Sequence, residues 1–492
     1  MKRHTALLPL LLAGACTTVG PDFRQPAAPP AAAGYVGGGG GRVALSEGPE
    51  REWWKTFAST ELDTLVERAI AGNHSLAASR ETLEKARQRI AAVSGKALPQ
   101  VDANARAEYQ RINLAAFGLS ESLGRPGVGN PEFDLYTLGG GVSYDLDLFG
   151  RNRRAVEQAA AEAEAQQRET EAAHLLIAGR VVMQVLAIAA LNDTIATQHQ
   201  LLSEDERNVS LTEARRKAGA GTLVEVLSAQ GQLAGDRGSL PSLEQQLAEG
   251  RFMLAVLLGI SPAELGPTDF SLDRFVLPAN IPVALPSALV RKRPDILQAE
   301  ARLHAAVAGV GIATADLYPD IALGASITQS SSEPGRIASS KFNAFDIFAG
   351  LTAPIFHGGT LKANKRGAEA EARAAAAQYE QIVTEAFGQV SGLLSALDND
   401  KRELAARDEA AGIADRSLYL SRRSFQVGNS GVLQVLDASR SYQRAKLSLL
   451  QTRANQYRDV ARLYAATAGG WIPDMAGETG NGRPETVQVS RK

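Results

Sequence analysis

The stretch Ala218-Gly219-Ala220-Gly221-Thr222-Leu223-Val224-Glu225-Val226-Leu227 decides the fold, because its pattern occurs twice. Its counterpart lies 209 residues on, at Val427-Gly428-Asn429-Ser430-Gly431-Val432-Leu433-Gln434-Val435-Leu436. Upstream of each turn runs an apolar stripe at strict seven-residue spacing. One comprises Val181, Ile188, Ile195, Leu202 and Val209; the other comprises Val390, Leu397, Leu404, Ala411 and Leu418. An apolar residue at every seventh position keeps one seam facing a partner only when helices supercoil left-handedly. A glycine-bearing turn after such a stripe reverses the chain. The sequence therefore encodes two long helical hairpins, and agreement in both register and turn marks an internal duplication.

The lengths of the arms carry architectural information. The outgoing arms, about 152–218 and 360–427, have roughly 67 residues each, hence about 100 Å at 1.5 Å per residue. The return arms, about 222–258 and 432–467, are only about half as long. Shorter helical patterns at 61–94 and 287–315 match the missing half and could stack end to end on the return arms. Each repeat would then build one long and one composite column.

Between these helices the period changes from 3.6 to two. After Pro99, Val101, Ala103, Ala105, Ala107 and Tyr109 alternate with Asp102, Asn104, Arg106, Glu108 and Gln110. Similar alternation marks strands at about 101–112, 135–147, 321–331 and 345–356. Segments of this length with one apolar face suit tilted membrane-spanning strands. Four strands cannot close a barrel, and open sheet edges are not tolerated in lipid. Closure thus calls for several copies, and three would supply about 12 strands and 12 helical columns. The same alternation also reads as a soluble β-subdomain capping a coiled coil.

Bulk properties narrow the functional classes. The 492 residues are 45% hydrophobic but only 5% aromatic, so Ala and Gly carry much of the apolar content and extended helical layers are favoured over a thick globule. A net charge of −2 without a basic block leaves no electrostatic footprint for nucleic acid. Lys2 and Arg3 precede the apolar run Ala6 to Ala13 and the small residues Gly14-Ala15, the pattern of a secretory signal peptide too short to span a bilayer. The sole cysteine, Cys16, follows directly, and the arrangement resembles a bacterial lipobox in which that thiol is acylated. Ala13 stands where Leu is usual, with Leu12 one place earlier, and an ordinary signal with an incidental cysteine is the alternative.

Chemistry-bearing patterns are sparse. The six His residues show no ligand spacing, and neither a phosphate-cradling loop nor a Ser/His/Asp or paired-carboxylate constellation is present. No cofactor, metal or catalysis is expected. Gly139-Gly140-Gly141 falls within a strand, where it eases curvature. The expected organisation is a signal peptide (1–15), a lipidated linker and equatorial segment (16–58), a first repeat (59–270), a second repeat (271–470) and a polar tail (471–492).

Several ordered markers then give the chain a family likeness. They are Cys16 followed by Val19-Gly20-Pro21-Asp22-Phe23 and Pro26, then Trp53-Trp54 with Phe57, Leu62 and Leu65. Arg293-Pro294-Asp295-Ile296 with Ala299-Glu300, Tyr318-Pro319, and Gly428 with Leu433, Leu436-Asp437-Ala438 and Arg440 complete the set. Within the duplicated frame, the chain resembles the TolC-type outer-membrane efflux channels, in their lipoprotein branch. The resemblance implies a mainly α fold with a membrane β-barrel. It implies a homotrimer whose barrel sits in outer-membrane lipid on a periplasmic helical tunnel. A periplasmic adaptor and an inner-membrane pump would be its partners, and pumped drugs or other toxic small molecules its cargo. A poreless periplasmic coiled-coil lipoprotein with a structural or adaptor role is the rival reading, although it needs no strands of membrane length.

The resemblance also places a periplasmic gate on Phe425, Leu433, Asp437 and Arg440. Phe425 departs from the family's frequent Tyr, so a gate hydrogen bond from that hydroxyl is absent here. A three-fold axis would turn Asp437 into a ring of carboxylates and Leu433 into an apolar ring. From spacing alone, Asp437 and Arg440 are an i, i+3 surface pair worth a few tenths of a kcal/mol. The first repeat carries Ser228 and Gly231 at the equivalent positions, so the second hairpin is the better candidate for a lock. Gly219, Gly221 and Gly428 mark the hairpin tips, which in the family meet the adaptor. Trp53 and Trp54 read as an anchor for the N-terminal segment.

Overall fold

The computed structural model describes residues 18–27, 35–37, 41, 43–46, 48–113, 131–339, 341 and 343–468; Cys16, the leader and the tail at 471–492 lie outside them. In chain order the main elements begin with β1 (Val43–Ser46), α1 (Thr60–Gly72), α2 (His74–Lys96), β2 (Gln100–Arg111) and β3 (Glu132–Asp145). The first hairpin follows as α3 (Arg151–Lys217) and α4 (Leu223–Leu258). Then come β4 (Ile281–Ala284), α5 (Pro286–Lys292), α6 (Pro294–Ala315), β5 (Asp320–Ser331) and β6 (Asn343–Thr352). The second hairpin is α7 (Thr360–Gln426) and α8 (Val432–Thr467).

The duplication extends to element length. Both outgoing helices have 67 residues and both return helices have 36. The helix expected at 61–94 is interrupted at Asn73. Its Oδ1 accepts from the Ser75 and Leu76 amides at 2.9 and 3.2 Å and so caps α2, while its Nδ2 donates to the Leu257 carbonyl at 2.9 Å. One side chain thus joins the start of α2 to the last turn of α4. The helix expected at 287–315 is likewise split, at Arg293-Pro294, because proline suits a first helical position and disfavours helix in the residue before it. Arg293 Nη1 donates to the Ala466 carbonyl at 3.0 Å and joins this break to the end of α8. The composite columns are therefore spliced at polar joints.

Two compact units are present, and they cut across the repeats. One comprises residues 1–25, 84–164 and 300–377; the other comprises 26–83, 165–299 and 378–492. The physical reason is that strands pair between repeats: the sheet order is β2-β3-β5-β6, so its central contact joins β3 of the first repeat to β5 of the second.

The first unit is built on that antiparallel sheet, with residues 18–25 strapped to the turn that follows β3 and to the helix bases. Val19 donates its amide to the Phe149 carbonyl at 3.1 Å, and Phe23 stacks on His304 at 4.4 Å. Arg154, buried beneath, donates to Asp22 and Glu157, both at 2.7 Å.

The second unit holds the hydrophobic core. Trp53 and Trp54 are buried, Trp53 stacks on Tyr464 at 5.5 Å, and Phe57, Leu62, Val181, Ile188, Val390 and Leu397 pack into the same cluster. The tryptophans anchor the N-terminal segment in this way. A short parallel pair, β1 with β4, lies in this unit. One stretch of α3 is long and apolar enough to cross a membrane, but much of it lines this core.

Candidate functional site

Two parts of the molecule, one in each unit, carry the candidate functional features. The first is the sheet, whose register aligns side chains by chemistry. Val101, Val142, Ala325 and Ile347 form one row across all four strands; the adjoining row is Asp102, Gly141, Ser326 and Asp346. Since side chains alternate with period two, these rows lie on opposite faces. The apolar face continues through Tyr109, Leu138, Ile327, Phe345 and Leu351, the polar one through Asn104, Arg106, Thr137, Thr328 and Ser330. Phe345 and Ile347 are each 79% exposed, an arrangement unfavourable in water and suited to lipid. The strands run Gln100–Arg111, Glu132–Asp145, Asp320–Ser331 and Asn343–Thr352. The third expectation is thus met to within a residue, whereas β6 ends before Ile355 and Phe356, which the sequence had included.

The second part is the pair of hairpin tips. Gly219 and Gly428 adopt left-handed φ values of +73° and +81°. In the first tip Gly219 and Ala220 donate to the carbonyls of Arg216 and Arg215; in the second Gly428 and Asn429 donate to those of Phe425 and Ser424. Both tips are Schellman closures, in which two otherwise orphaned carbonyls are satisfied and a Cβ at the glycine would be strained. Gly221 is different: its φ is not left-handed, and a Cβ there would press on Arg215 and Glu225. Phe425 is buried in a small cluster with Leu418, Val432, Val435 and Ala438, and the Arg215 guanidinium lies over its ring at 4.5 Å. Leu433 is 50% exposed. Asp437 is exposed and has no ion-pair partner among the described residues. Arg440 does not turn to it; its Nε donates instead to Gln232 Oε1 of the first hairpin at 2.5 Å.

That contact leads to a partly buried polar network that sequence reading did not find. Gln232 Nε2 donates to Asp236 Oδ2 at 2.6 Å and to Gln443 Oε1 at 3.2 Å. Gln443 Nε2 in turn reaches both Asp205 oxygens at 3.3 and 3.4 Å. Asp205 is 1% exposed, and its carboxyl is pushed up to about 7, first by burial and then by its hydrogen bond to, and the charge of, Asp236. Glu204 adds to that rise and the Gln443 amide opposes it. Glu204 itself is paired with Arg422 of the second hairpin at 2.8 Å. Two carboxyls, two amides and one guanidinium thus knit α3, α4 and α8 together. No seven-residue pattern reports this, because it depends on which residues face each other between hairpins.

Among the described residues no group of three or more His, Cys, Asp or Glu side chains could hold a metal ion.

A family model described as outer membrane efflux protein matches residues 65–260 and 285–469. The chain is 30% identical over 484 residues to the pyoverdine export outer membrane protein OpmQ of Pseudomonas putida, covering 96% of this chain and 99% of that protein. It is 30% identical over 474 residues to the outer membrane protein OprJ of Pseudomonas aeruginosa, covering 95% of each. The solved structure of the outer-membrane channel OprN superposes with a TM-score of 0.82 at 28% identity, covering 92% of this chain and 100% of that one. The chain belongs to the outer membrane efflux protein family and is an outer-membrane channel component of an efflux pump.

Proposed function

We propose that three copies of this chain close into a 12-stranded barrel in the outer membrane, continued by 12 helical columns into the periplasm. The observation that carries this reading is the four-stranded sheet, with a lipid-suited face, a polar face and two unpaired edges, β2 and β6. A row of unpaired N–H and C=O groups in hydrocarbon costs several kcal/mol per group, so the edges must meet another copy. A poreless coiled-coil lipoprotein would have no use for such a sheet.

The remaining parts of the reading follow from this frame. The leader at 1–15 is removed and Cys16 is acylated, anchoring the 16–58 segment; the repeats at 59–270 and 271–470 each supply two strands and a hairpin, and 471–492 is a polar tail. The tips around Gly219, Gly221 and Gly428 receive the adaptor, with the inner-membrane pump supplying energy. Phe425, Leu433, Asp437 and Arg440 form the periplasmic gate, and the ties from Arg440 to Gln232 and from Arg215 to Phe425 support it. The duct itself is passive and takes no cofactor. Its cargo is whatever the pump delivers, with drugs and siderophores of the pyoverdine kind the first to try. Mass measurement of the detergent-purified protein tests the frame: three chains per particle are expected, and a single-chain particle would reject it.

A further inference from the structure

The internal duplication carries more than the existence of a seam between copies; it specifies the register of that seam. Within the chain, β3 pairs with β5 so that Tyr136 lies opposite Ser331 and Asp145 opposite Ala322. Each partner has a counterpart in the other repeat. Gly150 and Gly359, both at positive φ (+79° and +85°), precede the first residues of the two 67-residue helices, Arg151 and Thr360. They equate β3 with β6 at an offset of 209. Pro99 and Pro319 precede strands of 12 residues each and equate β2 with β5 at an offset of 220. Replacing both members of the β3–β5 pairing by their counterparts gives a pairing of β6 with β2, and within one chain these are the two free edges.

We infer that β6 of one copy pairs antiparallel with β2 of the next with Ala349 opposite Ala107, Ile347 opposite Tyr109, and Leu351 opposite Ala105. This rests on the closure between copies proposed above and adds its register. The lipid-suited residues of the two strands then meet each other. On the polar face Gly350 comes opposite Arg106, Phe348 opposite Glu108, and Asp346 opposite Gln110. The in-chain bond from the Leu146 amide to the Ile321 carbonyl at 3.0 Å becomes one from Ile355 to Val101 of the next copy. Ile355, 95% exposed in the single chain, would thereby gain a neighbour.

The neighbouring registers are worse on stated grounds. A slip of one residue sets the apolar face of one strand against the polar face of the other. A slip of two in one direction places Asp346 directly opposite Glu108, a like-charge pair that destabilises a sheet. A slip of two in the other direction puts Ile347 opposite Arg111 and moves that charge down the lipid face. Only the repeated register avoids all three.

Paired cysteines test this in membranes of intact cells. Ala349→Cys is combined in turn with Ala105→Cys, Ala107→Cys and Tyr109→Cys, and the membranes are oxidised before denaturing electrophoresis. Residues directly opposite on hydrogen-bonded positions have Cα atoms about 5.5 Å apart, within disulfide range, whereas a two-residue offset is not. Covalent dimers and trimers several-fold stronger with Ala107→Cys than with either neighbour are expected. Ile347→Cys with Tyr109→Cys, which samples the same register at other positions, should give the same ladder. A strongest ladder at Ala105→Cys or Tyr109→Cys with Ala349→Cys would overturn the register. So would the absence of any ladder from a protein that sizes as an oligomer in detergent. No ladder together with single-chain particles would instead reject the closure on which the register rests.

Discussion

The first hairpin opens its return helix on a capping box, in which Thr222 accepts from the Glu225 amide and Glu225 accepts from the Thr222 amide. The second opens the equivalent helix on Gly431, which has no side chain to offer, with Gln434 in place of the glutamate. The outgoing helices differ in the same sense: the last turn of α3 carries Arg215, Arg216 and Lys217 against the helix dipole, whereas that of α7 carries Arg423. The apolar cluster around Phe425 belongs to the second tip. Arg422, Arg440 and Gln443 of the second hairpin reach Glu204, Gln232 and Asp205 of the first. One tip is therefore fastened by its own local polar bonds. The other is fastened by burial and by what it holds on its neighbour. Contacts of the second kind can be released together without unwinding a helix, which is what a gate requires.

This contrast can be broken most directly at Phe425. Phe425→Ala should cost the second tip about 3 kcal/mol, the lower range for a buried aromatic, and leave the first nearly unchanged. Hydrogen exchange should accelerate over 424–436 and not over 215–227; equal acceleration at both would show that the tips are one unit. A smaller effect is expected from the buried carboxyl of Asp205. Asp205 has its carboxyl raised to about 7 in the folded hairpins, against an ordinary value of about 4. The folded form therefore holds a proton that the separated form gives up. The contribution of Asp205 to the seam is fully present below about pH 4 and is lost as pH rises through about 7. Exchange protection along α4 and α8 should fall between pH 5 and pH 8, on the order of a tenfold to hundredfold change. Asp205→Asn should flatten the profile, and an unchanged profile would remove this carboxyl from the seam. The smallest effect sharpens the comparison from the other side. Gly431→Thr with Gln434→Glu transplants the capping box, for which Gly431 already has extended φ and ψ of −83° and 160°. It should stabilise the second tip by a few tenths to about 1 kcal/mol. A destabilised tip would mean that Gly431 is needed for another reason.

Much of this architecture was legible because it is periodic. Two 67-residue helices and four strands declare themselves through spacings of seven and two, and the turn glycines through their place after the stripes. The breaks at Asn73 and Arg293 were signalled by Gly72-Asn73 and by Pro294, but unbroken apolar spacing on either side masks them. The pair β1 and β4 was not legible at all, since four residues are too few for a pattern. The residues proposed for the gate divide similarly. Burial of Phe425 follows from its place seven residues past Leu418, where the stripe leaves off, whereas the turn of Arg440 to Gln232 instead of Asp437 depends on the packing of two residues 208 apart in sequence. Asp205 looks like any solvated carboxylate until the second hairpin covers it.

In the function proposed above, the closed tip of the pore is held by the second hairpin's grip on the first. Single-channel conductance of the purified protein in planar bilayers, wild type beside Arg440→Ala, tests it most directly. Small and rarely open channels in the wild type, becoming larger or more often open once the tie to Gln232 is lost, are the predicted result. No conductance from either protein, although both purify as trimers, would contradict it.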